Sequence, residues 1–213
     1  RKDDRLDAQL LARLARVDPE LLRPIRHRSE KAQVALTTIR ARAALVEART
    51  RLVNAARGLA KPLGLRLPAC GADYFTQEKL VDLPESVQRA LQPLVESIES
   101  LTAQIRGLDT RIEQIAGKDY PETALLRQVS GVGPIIALTF VLTLEDKSRF
   151  TRSRDVGAYL GLRPKRSSSG ESQPQLRITK EGDPYLRQML VQGAHYILGF
   201  RGPDSDLRRW GKR

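Results

Sequence analysis

Three groups of residues in this chain have types and spacings that could carry chemistry. The most charged lies between residues 149 and 187, where Arg149, Arg152, Arg154, Arg163, Lys165, Arg166, Arg177, Lys180 and Arg187 face only Asp155, Glu171, Glu181 and Asp183. Nine cations against four acids make a phosphate-binding surface, and Ser167, Ser168, Ser169 and Gly170 sit inside it. A serine hydroxyl among guanidinium groups could attack a phosphodiester and leave a covalent phosphoserine; composition alone equally describes a flexible Ser-Gly loop. The second group is Ser130-Gly131-Val132-Gly133-Pro134, a tight turn before the apolar run IIALTFVLTL. Gly131 and Gly133 permit close approach, and the following helix N-terminus favours anions, which is the logic of a helix-hairpin-helix phosphate clamp; an ordinary helix connection reads the same way. The third group is Lys2, Asp4 and Asp7, whose two acids are spaced i, i+3 on one helical face. They could share a Mg²⁺ if other carboxylates joined them, or simply complement a helix dipole.

The composition favours the phosphate reading. Lys and Arg number 37 against 25 Asp and Glu, and 28 of the 37 are Arg, whose planar fork grips phosphate bidentately. A net charge of +12 points to a polyanionic partner such as nucleic acid. A single Cys70 excludes an intrachain disulfide, and Cys70 with only His27 and His195 cannot supply a usual structural zinc set. Any metal is therefore expected on carboxylates. No apolar run approaches the length that spans a bilayer, and RKDDRLDA lacks the apolar core of a signal peptide, so the expectation is a cytoplasmic protein with no membrane partner.

An apolar content of 40% with 5% aromatic residues predicts a mainly α fold. DDRLDAQLLARLAR reads as a short amphipathic helix, followed by a connector with Pro19 and Pro24. From Glu30 to about Ala60, the positions Leu36, Ile39, Ala43, Val46, Thr50 and Val53 form one helical seam. Pro62, Gly64, Pro68 and Gly71 break the chain. A second seam runs through Val87, Leu91, Leu94, Ile98, Leu101, Ile105, Leu108, Ile112 and Ile115, with Pro93 expected to kink or restart the helix and Gly117 to stop it. Two such seams predict a long antiparallel helical hairpin, coiled-coil-like, that pairs within its own chain or also builds a homo-oligomer. Residues 122–129 and 135–144 read as short buried helices, 175–179 as a short β element, and Asp183-Pro184 as the start of a final helix that Gly199 caps after Leu198.

Taken in order, the blocks KDDRLDAQLLARLAR, LRPIRHRSEKAQ, RTRLVNAARGL, LLRQVSGVGPIIALTFVLTL, RFTRSRDVGAYLGLRPKRSSSGE and ITKEGDPYLRQMLVQGAHYIL resemble the insertion-sequence transposases. That family joins an N-terminal RuvC-like DEDD domain to a C-terminal serine-containing domain and is related to Piv-type DNA invertases. The resemblance implies residues 1–26 as the tail of the RuvC-like domain, 27–118 as the helical hairpin and 119–213 as the serine transposase domain. It implies Asp4 and Asp7 as the last two acids of a Mg²⁺-binding DEDD set. Ser169 best matches the nucleophile, with Ser167 and Ser168 as neighbouring alternatives. Arg163, Lys165, Arg166, Arg177, Lys180 and Arg187 would hold the nucleic-acid backbone, with Gly131 and Gly133 as the clamp. DNA and a structured guide RNA, the bridge RNA, are the implied partners. The first two acids are expected upstream of Arg1, and a further basic helix beyond Arg213, so the chain reads as a fragment. The leading expectation is serine-mediated, Mg²⁺-assisted DNA recombination, with half of the metal site missing. The alternatives are a non-catalytic nucleic-acid-binding remnant and, less consistent with the basic cluster, a helical scaffold.

Overall fold

A computed structural model of the chain describes residues 3–22, 27–167, 169, 170, 172, 174–200 and 202–213. Lys2, Ser168 and Glu171, singled out above, lie outside the described residues. The chain divides into two compact units, Arg1–Glu30 and Lys31–Arg213. The described residues are mainly helical, as expected, and none of their helices is long and apolar enough to cross a membrane.

The first unit is built on α1, Asp4–Val17. Asp3 caps it by accepting the Arg5 N–H at 3.0 Å, and Asp4 and Asp7 follow in the first turn, where the dipole favours anions. No α1 residue is buried within this unit, and its leucines Leu6, Leu10 and Leu11 are exposed.

The second unit is organised around α2, Glu30–Ala60, and α3, Glu85–Asp119. They run antiparallel, because Lys31 pairs with Asp119 at 2.7 Å, Arg42 with Asp109, and Arg49 with the Thr102 hydroxyl at 3.3 Å. The buried seam differs in detail from the sequence expectation. Arg49 is buried, while Thr50 is exposed and donates its hydroxyl to the Val46 carbonyl at 2.8 Å. The Arg49 guanidinium reaches out to Asp73 at 2.6 Å, so its aliphatic stem packs while its charge is paired. On α3 the fully packed line is Leu91, Val95, Ile98, Thr102, Ile105, Ile112 and Ala116, with Leu94, Leu101, Leu108 and Ile115 on its half-buried flank.

Two further expectations are corrected. Pro93 interrupts nothing: it is exposed in the third turn of a helix that continues through it. Nor does Gly117 stop α3, which runs on to Asp119. A glycine costs a helix only about 1 kcal/mol, and the packing of neighbouring Ala116 against Leu36, Ile39 and Leu142 outweighs that.

The connector folds back over the closed end of the hairpin, where Phe75, Leu80 and Leu83 plug a core made by Val53, Ala56, Leu91, Val95 and Ile98. Phe75 is fully buried, and such a side chain contributes roughly 1.5–3 kcal/mol by leaving water. At the other end, Ala32, Ala35, Leu36 and Ile39 of α2 and Ile112 and Ala116 of α3 share a core with Leu138 and Leu142 of α5, Pro134–Leu144. That end of the hairpin therefore shares its core with α5. A single turn, α4, Thr123–Leu126, precedes α5; Thr123 ties it down by donating to the Tyr120 carbonyl at 2.8 Å and the Ala116 carbonyl at 3.1 Å.

After α6, Ser153–Tyr159, the chain makes a short antiparallel ribbon and returns into α7, Pro184–Leu198. Asp183 caps α7 as expected, accepting the Tyr185 and Leu186 N–H groups at 2.9 and 3.0 Å, and Gly199 ends it. The chain then adds a short helix that the sequence reading lacked, α8, Asp206–Gly211, capped by Ser205.

The ribbon leaves the body through a neck where two backbone segments touch. Gly161 has φ +66°, and a Cβ there would lie 2.3 Å from the backbone N and O of Glu181. Gly182 has φ +74°, and a Cβ would lie 2.1 Å from the Tyr159 carbonyl oxygen. Both positions need glycine for conformation and for space. Gly161→Ala and Gly182→Ala should each destabilise the unit by about 2–4 kcal/mol in urea unfolding, combining left-handed strain with overpacking. A loss below about 0.5 kcal/mol for both would contradict this account of the neck.

Candidate nucleic-acid interface and serine ribbon

The sequence Arg163-Pro164-Lys165 pairs with Arg177-Ile178-Thr179. Lys165 N–H donates to the Arg177 carbonyl at 2.9 Å, Thr179 N–H to the Arg163 carbonyl at 3.0 Å, and Lys180 N–H to the Gly161 carbonyl at 3.0 Å. At the tip, Ser169 and Ser172 exchange both backbone hydrogen bonds, at 3.2 and 3.0 Å, around Gly170 at φ +55°. The serine favoured by sequence thus sits at an exposed hairpin tip, with its backbone groups satisfied. The two bridges, Pro164 with Ile178 and Ser169 with Ser172, differ in register by one residue. An extra residue on the returning segment re-aims the tip relative to the base, as a β-bulge does.

Alternation along the ribbon decides which cations share a face. Pro164 and Ile178 project one way, so Arg163, Lys165, Arg177 and Thr179 project the other. Lys165 stands directly across from Arg177. Like charges in that relation destabilise a strand pair, and neither forms an ion pair among the described residues. Arg163, Arg166 and Lys180 are likewise exposed and form no ion pair among the described residues.

Two other basic residues of this region, Arg187 and Arg149, contact the fold. The Arg187 guanidinium donates from Nη1 to the Leu160 carbonyl at 2.9 Å and the Glu181 carbonyl at 2.7 Å, bracing the neck. Arg149 lies 5.3 Å from the Tyr159 ring centroid, and Tyr159 meets Phe150 edge-on at 5.4 Å. Asp183 divides its oxygens, capping α7 with Oδ1 and receiving Arg40 of α2 at Oδ2, 2.8 Å away. Burial pushes the neighbouring Tyr185 phenol above its usual range, against the opposing pull of Arg42 and Arg40.

The glycine turn before α5 separates into two roles. Gly131, at φ +85°, packs against α7: a Cβ there would come within 3.0 Å of the Tyr196 ring and 3.1 Å of the Gly193 carbonyl. Gly133 has ordinary extended geometry, φ −83° and ψ 178°, with open space above it and no side-chain cap on the helix it begins. Neither fold nor capping asks for glycine at 133, where Ser or Asp would cap better. The residue leaves the first α5 amides open to close approach.

The metal expectation is met only in part. Asp4 and Asp7 are exposed on the first turn of α1, and no group of three His, Cys, Asp or Glu residues suited to a metal forms among the described residues. Two carboxylates supply part of the oxygen shell that Mg²⁺ takes.

Residues 123–207, which contain the ribbon, match the family described as Transposase IS116/IS110/IS902 family, and residues 1–62, which contain α1, match a transposase family of the DEDD IS110 type. The chain is 30% identical over 204 residues to the transposase for insertion sequence element IS1111A of Coxiella burnetii, covering 92% of this chain and 55% of that protein. It is 30% identical over 217 residues to a probable family 20 transposase of Pseudomonas aeruginosa, covering 98% and 63%. The transposase for insertion sequence element IS1328 of Yersinia enterocolitica is 29% identical over 214 residues, covering 98% and 63%. The chain thus spans a little over half the length of these relatives.

The ribbon analysis predicts opposite effects of one substitution. Arg177→Glu replaces a like-charged cross-strand pair by an opposite one, so thermal stability at low salt should hold or rise slightly while nucleic-acid affinity falls. Reduced stability with unchanged affinity would contradict the assignment. With one matching family over each end of the sequence and relatives aligned along almost all of it, the chain belongs to the IS110/IS116 family of insertion-sequence transposases.

Proposed function

We propose that this chain contributes the serine-bearing, DNA-facing part of a transposase, and that Ser169 is its nucleophile. The observation that carries this reading is Ser169 at the exposed tip of a ribbon whose base holds like-charged Lys165 and Arg177 opposite each other. Such an arrangement costs stability unless an anion lies between or across the cations. A DNA backbone supplies one.

In the proposed step the Ser169 Oγ attacks phosphorus. The new bond joins phosphorus to Oγ, the bond to one deoxyribose oxygen breaks, the hydroxyl proton leaves to a base, and the departing oxygen is protonated in turn. One phosphodiester is exchanged for another, so the later attack of a strand end restores the serine. Arg163, Lys165, Arg166, Arg177 and Lys180 neutralise the phosphate and its neighbours. Arg187 braces the neck through Nη1 and keeps its remaining N–H donors for the nucleic-acid backbone. Residues 119–213 are read as the serine domain, 27–118 as the arm and 1–26 as the end of the DEDD domain. In a complete transposase, Asp4 and Asp7 would hold Mg²⁺ with carboxylates from other parts of the protein; bound Mg²⁺ would neutralise phosphate charge. A structured guide RNA would use the exposed arginines of the arm, among them Arg106 and Arg111, and the arm's outer faces would support a homo-oligomer.

A second reading, a nucleic-acid-binding remnant without catalysis, uses the same exposed cations of the ribbon with Ser169 unreactive. Strand transfer by a complete transposase carrying this sequence separates the two. Ser169→Ala should lower the rate roughly 10³-fold or more with DNA affinity nearly unchanged. Loss in Ser167→Ala or Ser168→Ala instead would move the nucleophile along the loop. Full activity in all three variants would end the serine reading.

A further inference from the structure

Two depressions in the second unit meet at the start of α5. The larger, about 900 Å³, lies between α2, the start of α5 and α7; the smaller, about 490 Å³, lies between the glycine turn and α7. Both are lined by Gly133, Ile136 and Gln192, so they form one trough. Its lining changes character along its length in a way that suits a particular ligand. At one end Arg40 and Arg42 line it. Arg40 spends one Nη on Asp183, and Arg42 its Nε and one Nη on Asp109, so each guanidinium retains N–H donors. The acidic residue on that rim, Glu47, is held by Arg51.

In the middle, Gln188 and Gln192 stand one turn apart on α7, both exposed, over an apolar floor that includes Ile136. At the far end the half-exposed ring of Tyr196 borders the trough beside Gly131. Guanidinium donors, amide side chains able to donate and accept, an apolar floor and an aromatic ring are the groups that bind a phosphodiester backbone, base edges and base faces respectively. A duplex keeps its base faces stacked and offers nothing to the floor or to Tyr196. An unpaired strand offers all three surfaces.

We propose that this trough seats a short unpaired segment of nucleic acid, with phosphates toward Arg40 and Arg42, base edges at Gln188 and Gln192, and a base against Tyr196. It rests on the reading of the chain as nucleic-acid-facing, but assigns a second site, separate from the serine ribbon. A seat for an unpaired strand on the same unit as a serine that works on DNA would hold a displaced or guiding strand clear of the reacting duplex.

The test is fluorescence anisotropy of the full chain with labelled 12-nucleotide single-stranded DNA, the same sequence as RNA, and the corresponding DNA duplex. Gln192→Glu places a carboxylate at the junction of the two depressions, and Tyr196→Ala removes the ring. Each should weaken single-strand binding about tenfold and leave duplex binding within about twofold. Arg177→Glu on the ribbon should do the reverse. Thermal unfolding checks each variant, and Gln192→Leu, which removes hydrogen bonds without adding charge, guards against a purely electrostatic effect. Whichever of the DNA and RNA arms loses more identifies the source of the strand. Unchanged single-strand affinity in both trough variants, or equal loss on single strand and duplex, overturns the trough. Absence of duplex binding even by the unaltered chain would instead sink the ribbon reading and leave the trough standing.

Discussion

The contact of backbone on backbone at the ribbon neck constrains everything beyond it. Gly161 and Glu181 touch, as do Gly182 and Tyr159, with no room for a single methyl group between them. Arg187 spans the same place by donating to carbonyls from both sides, and Asp183, the next residue, starts α7 and takes Arg40 from the arm. Four adjacent functions therefore depend on about ten residues of chain. The exit direction of the ribbon, the start of α7, the bracing of α6 and the link to α2 cannot be changed separately.

This explains how a segment with so little internal pairing can present a reactive group. The ribbon has two isolated bridges and a register slip between them, which by itself is too little to be stable. It gains its order from the neck, and under the proposed function its cations are explained by a nucleic-acid ligand. Stability is set aside at Lys165 and Arg177, where like charges oppose each other, and at Gly133, where a better cap is absent; both are positions where a phosphate would offset the deficit. The arm shows the opposite economy, with its charges paired across the helices through Lys31, Arg42 and Arg49.

Much of this was legible in the sequence where local rules act alone. Asp183 followed by Pro184 announces a helix start whatever surrounds it, and Glu30 to Ala60 showed its period clearly. The serine-rich turn inside a basic stretch was visible as composition. What could not be read depended on partners distant in sequence. Arg49 rather than Thr50 enters the seam because Asp73 waits at its tip, a contact across the connector. Gly117 stays helical because its neighbour Ala116 packs on α2 and α5. Gly131 and Gly133 look alike in a two-glycine turn, yet only α7 distinguishes the one that must pack from the one left open. Nothing in the spacing of Arg187 announced the two carbonyls that its Nη1 braces at the neck. Asp4 and Asp7 keep their predicted common face, but spacing could not supply the further carboxylates a metal needs.

The central claim is that a hydroxyl at the ribbon tip becomes bonded to phosphorus, and the most direct measurement is of that bond. A complete transposase carrying this sequence is quenched during strand transfer, digested, and its peptides weighed for a nucleotide adduct. The account predicts the added mass on the peptide containing Ser169, localised to that residue and absent from the Ser169→Ala protein. An adduct on any peptide outside residues 163–179, or strand transfer with no protein-linked nucleotide at any time point, would contradict it.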